Sequence, residues 1–130
     1  MGEVDLEVLL RTLSPYLHDE CWVFTRVDGR VPPGAAPVVV VREDEGLTLV
    51  LEQRSADELS LPYDFVAAWI TLQVQSALEA VGLTAAVSRA LAEAGISCNV
   101  VAGFTHDHLF VPYDRAADAM RTLATLASSS

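Results

Sequence analysis

The segment from residue 67 to residue 114 limits the fold most strongly, because its hydrophobic pattern changes from that of a strand to that of a helix and back. It opens with an alternation in which every second residue is apolar. Such a two-residue period is typical of a strand in a sheet with one covered face. The side chains expected to face inward are Ala68, Ile70, Leu72 and Val74, and those expected outward are Trp69, Thr71, Gln73 and Gln75.

A helix is predicted over residues 85–94, and Gly95 supplies a left-handed stop after it. The apolar residues that share one helical stripe are Leu83, Val87, Ala90, Leu91 and Ala94. Strand-like residues follow over 96–101, the chain turns at His106 and Asp107, and it returns as a strand over 109–111. The order strand, helix, strand, strand predicts an α+β fold.

The first half of the chain contains shorter elements of the same kinds. Apolar residues at helical spacing predict a helix over residues 6–13 with Asp5 as its N-cap. A strand is predicted over 22–27, and a hairpin over 38–51. Ser55 and Glu58 have the spacing of a capping box, which predicts a short helix that starts at Ser55.

The last helix, predicted to be capped by Asp114, is followed by no strand. Residues 66–127 therefore supply only βαββα of a ferredoxin-like βαββαβ unit, so the closing strand must come from the first half or from another chain. We predict a ferredoxin-like α+β fold of two interlocked subdomains. Residues 1–64 form a degenerate copy and residues 65–130 the clearer one, within one compact unit.

Composition excludes several classes of partner and chemistry. The formal charge of -10 repels polyphosphates and anionic headgroups, so neither nucleic acid nor a membrane surface is expected as a partner. All eight basic residues are arginine, which excludes a Schiff-base lysine. With 52% hydrophobic residues in 130, the chain can form a core without a metal or a disulfide, and we predict no cofactor.

Compartment signals are few. Cys21 and Cys98 lie in apolar, strand-like runs and are interpreted as buried, reduced side chains. The acidic N-terminus lacks the basic start and apolar core of a signal peptide. No apolar run reaches the roughly 18 residues of a membrane span, so a cytoplasmic protein is predicted.

The loop over residues 76–84 leads into the predicted helix at Ala85, and this junction is a candidate anion site. Helix N-termini offer free N–H groups and the positive end of the helix dipole, so a carboxylate or phosphate binds there without a basic side chain. Gly82 either permits a tight turn or lets a carboxylate approach the backbone. Thr84 is favoured as the N-cap, its hydroxyl accepting the N–H of Val87.

Residues 76–87 and 91–97 resemble the ligand loop and first helix of ACT domains, the regulatory modules of aspartokinases and other amino-acid-controlled proteins. Together with residues 45–50 and 107–112, they make the chain similar to small stand-alone bacterial proteins built from two interlocked ACT-like subdomains. The resemblance implies a ferredoxin-like fold and a homodimer. It also implies amino-acid binding at a subdomain or subunit interface, with no catalytic domain attached.

The resemblance further implies which residues bind the ligand. The loop residues are Glu79, Ala80, Val81, Gly82, Leu83 and Thr84. ACT-like units of eukaryotic arginine sensors also resemble this loop and the turn at residues 105–107, which makes Asp107 a candidate for the ligand's amino group. The amide of Asn99 could bind a ligand carboxylate or amine. Alternatively, Glu79 is solvated, Asn99 satisfies a sheet edge and Asp107 is an ordinary turn residue.

Metal and enzyme chemistry have weaker support. The spacing of His106 and His108 would place both imidazoles on one face of a strand, with Cys98 or Asp107 to complete a zinc site. A solvated hairpin explains the pair equally, and we predict no metal site. No serine or cysteine lies in a recognised nucleophile motif, so no catalytic residue and no enzyme activity are predicted.

The sequence therefore predicts an amino-acid-binding regulatory or sensor protein. It would act as a homodimer and change how it docks on a regulated enzyme when its ligand is bound. The alternative is a structural interaction module that binds no ligand.

Overall fold

The computed structural model describes residues 5–73 and 82–129. Contacts divide the chain into two units. The terminal unit combines Met1–His18 with Ala68–Ser130, and the central unit comprises Asp19–Ala67. The described elements, in chain order, are α1 (Leu6–Arg11), β1 (Pro15–Leu17), β2 (Trp22–Val27), β3 (Val39–Glu43), β4 (Gly46–Glu52), α2 (Gln53–Glu58), β5 (Val66–Leu72), α3 (Leu83–Glu93), β6 (Asn99–Ala102), β7 (Asp107–Pro112) and α4 (Ala116–Ser128).

The terminal unit contains the order β, α, β, β, α from β5 to α4, and β1 closes its sheet. The strands lie in the order β1, β5, β7, β6. β1 pairs antiparallel with β5 in a register that places Tyr16 opposite Thr71, and β6 pairs antiparallel with β7. The closing strand thus comes from the first half of the chain. This confirms the predicted ferredoxin-like fold with interlocked subdomains.

The central unit comprises Asp19–Ala67, whereas the sequence predicts a degenerate copy over residues 1–64. The strands of the central unit lie in the order β3, β4, β2, followed by the first two residues of β5. β2 pairs antiparallel with β4, and β3 and β4 form the predicted hairpin. Residues 28–38 connect β2 to β3 without a helix. Three prolines in this connection, which lack a backbone N–H and fix φ, explain why no helix forms there.

Each unit has its own apolar core. In the terminal unit, α1, α3 and α4 cover the face of the sheet that carries Ala68, Ile70 and Leu72, all three buried as the alternation predicted. The buried residues of the central-unit core are Val23, Ala35, Leu49, Leu51 and Ala56. None of the helices in the described part of the chain combines the length and apolar character needed to cross a bilayer.

The predicted N-cap of α1 is confirmed. Asp5 Oδ1 accepts hydrogen bonds from the backbone N–H groups of Glu7 at 2.9 Å and Val8 at 3.3 Å. These bonds satisfy two of the N–H groups that a helix leaves without an acceptor in its first turn. The cap fixes the start of a short helix that buries Leu9 and Leu10.

Three other predicted caps are wrong. The N-cap of α3 is Gly82, so Thr84 lies inside the first turn. A 3-10 turn over Tyr113–Arg115 precedes α4, whose N-cap is Arg115 rather than Asp114. β4 runs directly into α2 at Gln53, which places Ser55 in the interior of that helix. In each case the chain enters the helix earlier or later than its cap-forming residue. β4 and the 3-10 turn set the entry points of α2 and α4, and Gly82 is the residue at which α3 begins.

Candidate functional site

The start of α3 is the part of the predicted ligand loop that the structure describes. Leu83 is buried there, and Thr84 is exposed in the first turn. No side chain caps this end of the helix, and the first helical bond is donated by the N–H of Ala86 to the carbonyl of Gly82. The N–H groups of residues 83–85 therefore have no acceptor within the helix. Glu79, Ala80 and Val81 lie outside the described residues.

Gly82 has a structural reason to be glycine. Its φ is +103°, a conformation that residues with a Cβ rarely adopt. A Cβ built at this position would lie 3.1 Å from Leu6 Cδ2, closer than ordinary van der Waals contact. The turn and packing against α1 are therefore sufficient to explain the glycine, whether or not a ligand approaches its backbone.

Asp107 is the first residue of β7 and is half-buried. Burial raises the pKa of its carboxyl group above the ordinary value of 3.8, and the nearby His108 and His106 partly oppose this effect. None of the ion pairs formed by the described residues includes Asp107. Because the folded-state pKa is raised, the free energy of unfolding falls as the pH rises above 3.8 and this carboxyl ionises. A group that costs stability in this way is a candidate for a binding role.

Asn99 lies away from Asp107. It is exposed on the edge strand β6, and its Nδ2 donates a 3.5 Å hydrogen bond to the carbonyl of Phe110. Asn99 is opposite Phe110 in the ladder, whereas Asp107 is opposite Ala102, about 10 Å along the strands. Since side chains alternate along a strand, those of Asn99 and Asp107 point to opposite faces of the sheet.

Among the described residues, no hydrogen bond or ion pair joins Gly82, Thr84, Asn99 and Asp107 to one another. Each makes its contacts locally. The structure therefore describes two separate candidate elements, the uncapped start of α3 and the half-buried carboxylate of β7, and it gives Asn99 a sheet-edge contact.

A cluster of polar and aromatic residues on β1, β5 and β7 was not predicted. We call His18, Trp69, Thr71 and His108 the histidine cluster. His18 stacks on Trp69 with ring centroids 3.5 Å apart and planes 10° from parallel. His18 Nε2 lies 2.7 Å from Thr71 Oγ1, which in turn lies 3.1 Å from His108 Nδ1. Trp69 Nε1 donates a 3.1 Å hydrogen bond to the same His108 nitrogen.

A signal for this cluster exists in the sequence. Trp69 and Thr71 are two residues apart on one strand, as are His108 and Phe110 on another, so each pair shares a face. The outward face of β5 was expected to be polar and exposed. Instead Thr71 is only 6% exposed, because the cluster packs over it.

The structure gives little support to metal or thiol chemistry. Within residues 5–73 and 82–129, no group of three or more His, Cys, Asp or Glu side chains could hold a metal ion. Cys21 and Cys98 are free thiols. Burial raises the pKa of Cys98 to about 11, so its thiol stays protonated near neutral pH and is a poor nucleophile.

A groove of about 690 Å³ lies between α3 and α4, but its charged groups are largely engaged with one another. Arg115 pairs with Asp118 at 2.9 Å, and Arg121 binds the other oxygen of the same carboxylate. Arg115 also donates hydrogen bonds to the carbonyls of Ala94 and Gly95, beyond the end of α3. These contacts fix the two helices to each other, so we interpret the groove as a packing feature.

Comparison with protein families identifies the class. One ACT domain model matches residues 1–68 and a second matches residues 65–125. The chain therefore belongs to the ACT domain family, as the resemblance of its loop and helix indicated. Membership indicates a small-molecule-binding regulatory role, and no catalytic domain is matched.

Solved structures agree with this assignment. A Vibrio cholerae protein of unknown function, described as a possible transport protein, is 45% identical with a TM-score of 0.86, over 94% of this chain and 95% of that chain. A protein from Agrobacterium tumefaciens is 21% identical with a TM-score of 0.71, over 88% and 89% of the two chains. The ligand-free regulatory subunit of aspartate kinase from Thermus thermophilus shares the fold at 11% identity and a TM-score of 0.65, over 88% and 96%. The curated proteins compared with the chain include none that matches it.

Proposed function

We propose that the protein is an allosteric sensor that binds a free amino acid and has no catalytic activity of its own. The observation that carries this proposal is the pair of ACT domain models that together match residues 1–125. ACT domains are regulatory modules, and the composition of the chain disfavours nucleic acid and anionic membranes as ligands. A small zwitterion is compatible with both facts.

The geometry suggests how such a ligand would bind. The N–H groups at the start of α3 have no side-chain cap and favour a carboxylate, with the helix dipole adding to the attraction. We assign the carboxylate of the amino acid to residues 79–84 and its ammonium group to Asp107. The raised pKa of Asp107, which forms no ion pair with the other described residues, supports this assignment, because an ammonium ligand would supply a full counter-charge.

A thermal-shift screen of the twenty amino acids tests the proposal. A ligand present at one hundred times its Kd adds about 2.7 kcal/mol to the free energy of unfolding, which raises the midpoint by several degrees in a domain of this size. One amino acid or a related group should give such a shift. Nucleotides and divalent metals serve as controls. If no amino acid shifts the midpoint even at millimolar concentration, the chain is better described as a structural interaction module.

We further propose that the sensor is a homodimer that regulates a partner enzyme. The edge strand β3 supports a self-association surface. Val40 and Val41 of β3 are 49% and 45% exposed, and Val38 just before it is 38% exposed. Among the described strands, only β4 pairs with β3, so its other edge is open. A second copy could pair with it, since natural proteins usually protect such edges.

Light scattering after size exclusion should therefore give a dimer mass at micromolar concentration. Val40→Lys should shift the equilibrium toward monomer, because a charged side chain at an edge opposes strand pairing. Val38→Lys on the same edge provides a second position, and Thr125→Lys on the exposed face of α4 serves as the control. A wild type that is monomeric would refute the dimer, and a dimer unaffected by either β3 change would refute β3 as its interface.

A further inference from the structure

The histidine cluster forms a continuous chain of hydrogen bonds across three strands of the terminal unit. It starts on His18, directly after β1, passes through Thr71 of β5 and ends on His108 of β7, with distances of 2.7 Å and 3.1 Å. β1 itself has only three residues paired with β5, and the backbone N–H of His18 adds one further bond, to the carbonyl of Trp69. The side-chain network therefore supplements a very short ladder.

The direction of each hydrogen bond follows from the chemistry of the partners. The indole nitrogen of Trp69 can only donate, so His108 Nδ1, which accepts from it, carries no proton. Thr71 has a single hydroxyl proton. If that proton pointed to His18, the lone pairs of Thr71 Oγ1 and His108 Nδ1 would face each other at 3.1 Å. The arrangement without such a conflict is donation from His18 Nε2 to Thr71, and from Thr71 to His108 Nδ1.

The two histidines consequently have different roles. His18 is a donor through Nε2, and its ring lies over the face of Trp69. A proton added to His108 must go to Nδ1. There it meets the N–H of Trp69 and the O–H of Thr71, so both hydrogen bonds to His108 are lost.

We propose that the histidine cluster is a pH-sensitive lock that holds the closing strand β1 against β5 and β7, and that protonation of His108 opens it. This inference concerns the fold of the terminal unit and does not depend on the identity of a ligand. It assigns a switching role to His108 and a donor role to His18. The role of Thr71 is to link the two.

The surroundings of His108 agree with a neutral imidazole. Burial lowers the pKa of His108 below the ordinary value of 6.5, His106 lowers it further, and Asp107 raises it. Stability linked to this group is therefore present above pH 6.5 and is lost as the pH falls through that value toward the folded-state pKa. The imidazole of His108 contacts Trp69 and Thr71 of β5, and His18 and Tyr16 of the β1 segment lie behind Thr71. On the other side are Val101, its partner in the register with β6, and Gly103 of the hairpin. The neighbouring titratable groups are His106 and Asp107.

Two measurements on the full chain test the proposal. The first is a long-range ¹H–¹⁵N correlation spectrum of the wild-type histidines, in which His108 should carry its proton on Nε2 and have an unprotonated Nδ1. A His108 that carries its proton on Nδ1 at neutral pH would overturn the proposal. This result is independent of whether any variant folds.

The second measurement is hydrogen-exchange protection of the backbone N–H of His18 as a function of pH. In the wild type, the protection factor of this N–H should fall about tenfold for each unit by which the pH is lowered between the ordinary pKa of His108 and its folded-state pKa. His108→Asn keeps an acceptor oxygen near the position of Nδ1 but cannot titrate, so its protection should not change with pH in this range. Thr71→Val removes the link and should lower protection already at neutral pH.

His106→Asn is the matched control, because it removes a neighbouring histidine that lies outside the hydrogen-bond chain. It should keep a pH dependence, displaced to higher pH because His106 no longer lowers the pKa of His108. A pH dependence that survives in His108→Asn, or that disappears in His106→Asn, would show that His108 is not the switch.

Discussion

Gly82→Val is expected to lower the free energy of unfolding by about 2–3 kcal/mol. The backbone at Gly82 has φ +103°, which costs a residue with a Cβ about 1–3 kcal/mol, and a branched side chain fits it least well. The new Cβ would also lie 3.1 Å from Leu6 Cδ2, so the end of the Leu6 side chain would have to give by a few tenths of an ångström. Chemical denaturation monitored by circular dichroism measures the loss.

Gly95→Val is the matched control for this change. Gly95 also has a positive φ, +74°, but a Cβ there meets nothing within 4 Å. It should therefore lose stability from backbone strain alone, and the difference between the two variants reports the contact with Leu6 together with the greater strain at φ +103°. A Gly82→Val protein with wild-type stability but without ligand binding would instead show that Gly82 serves the ligand rather than the turn.

The parts of the fold that sequence predicts well are those set by hydrophobic period. The alternation through Ala68, Ile70 and Leu72 identifies the buried face of β5, and the helical spacing of Val87 and Leu91 identifies the buried face of α3. The βαββα order of residues 66–127 predicts that the closing strand comes from the first half or from another chain, and the structure shows that β1 of the first half supplies it. These features depend on burial of apolar surface, which leaves a periodic signal in the sequence.

Helix starts were less predictable because caps depend on where the chain enters the helix. Thr84 and Ser55 are good N-cap residues, yet α3 starts at Leu83 and α2 starts directly after β4. Cap preference is worth about 1 kcal/mol, which strand pairing and core burial easily exceed. At α1 the chain enters the helix at its cap-forming residue, so Asp5 is the N-cap as predicted.

The candidate site was only partly predictable for a related reason. Asn99 and Asp107 are close in sequence, but the register of β6 with β7 sends their side chains to opposite faces. The histidine cluster joins residue 18 to residues 69–71 and 108. These residues are far apart in the sequence, so no local sequence pattern indicates that their strands are neighbours. Single-residue propensities carry no information about which strands become neighbours.

Asp107→Asn is expected to weaken binding of the amino acid that the screen selects by about ten- to a hundredfold. The proposed function places the ligand's ammonium group on this carboxylate. The loss of a charge-assisted hydrogen bond costs about 1.5–3 kcal/mol. The amide is nearly isosteric, and since burial raises the pKa of Asp107, the neutral side chain should leave the fold at least as stable at neutral pH. Calorimetric titration of wild type and variant measures the difference in affinity.

Asp44→Asn is the matched control, because Asp44 is an exposed carboxylate in the turn of the β3–β4 hairpin, within the central unit. The Asp44→Asn variant loses the same charge at an exposed position, so its affinity for the amino acid should equal that of the wild type. A loss of affinity in both variants would indicate a general effect of net charge, which salt screens. Equal affinities of Asp107→Asn and wild type would make Asp107 a turn residue, while the amino acid could still bind through the start of α3 alone. A loss confined to Asp107→Asn, together with unchanged or increased stability, can only come from a contact made in the bound state.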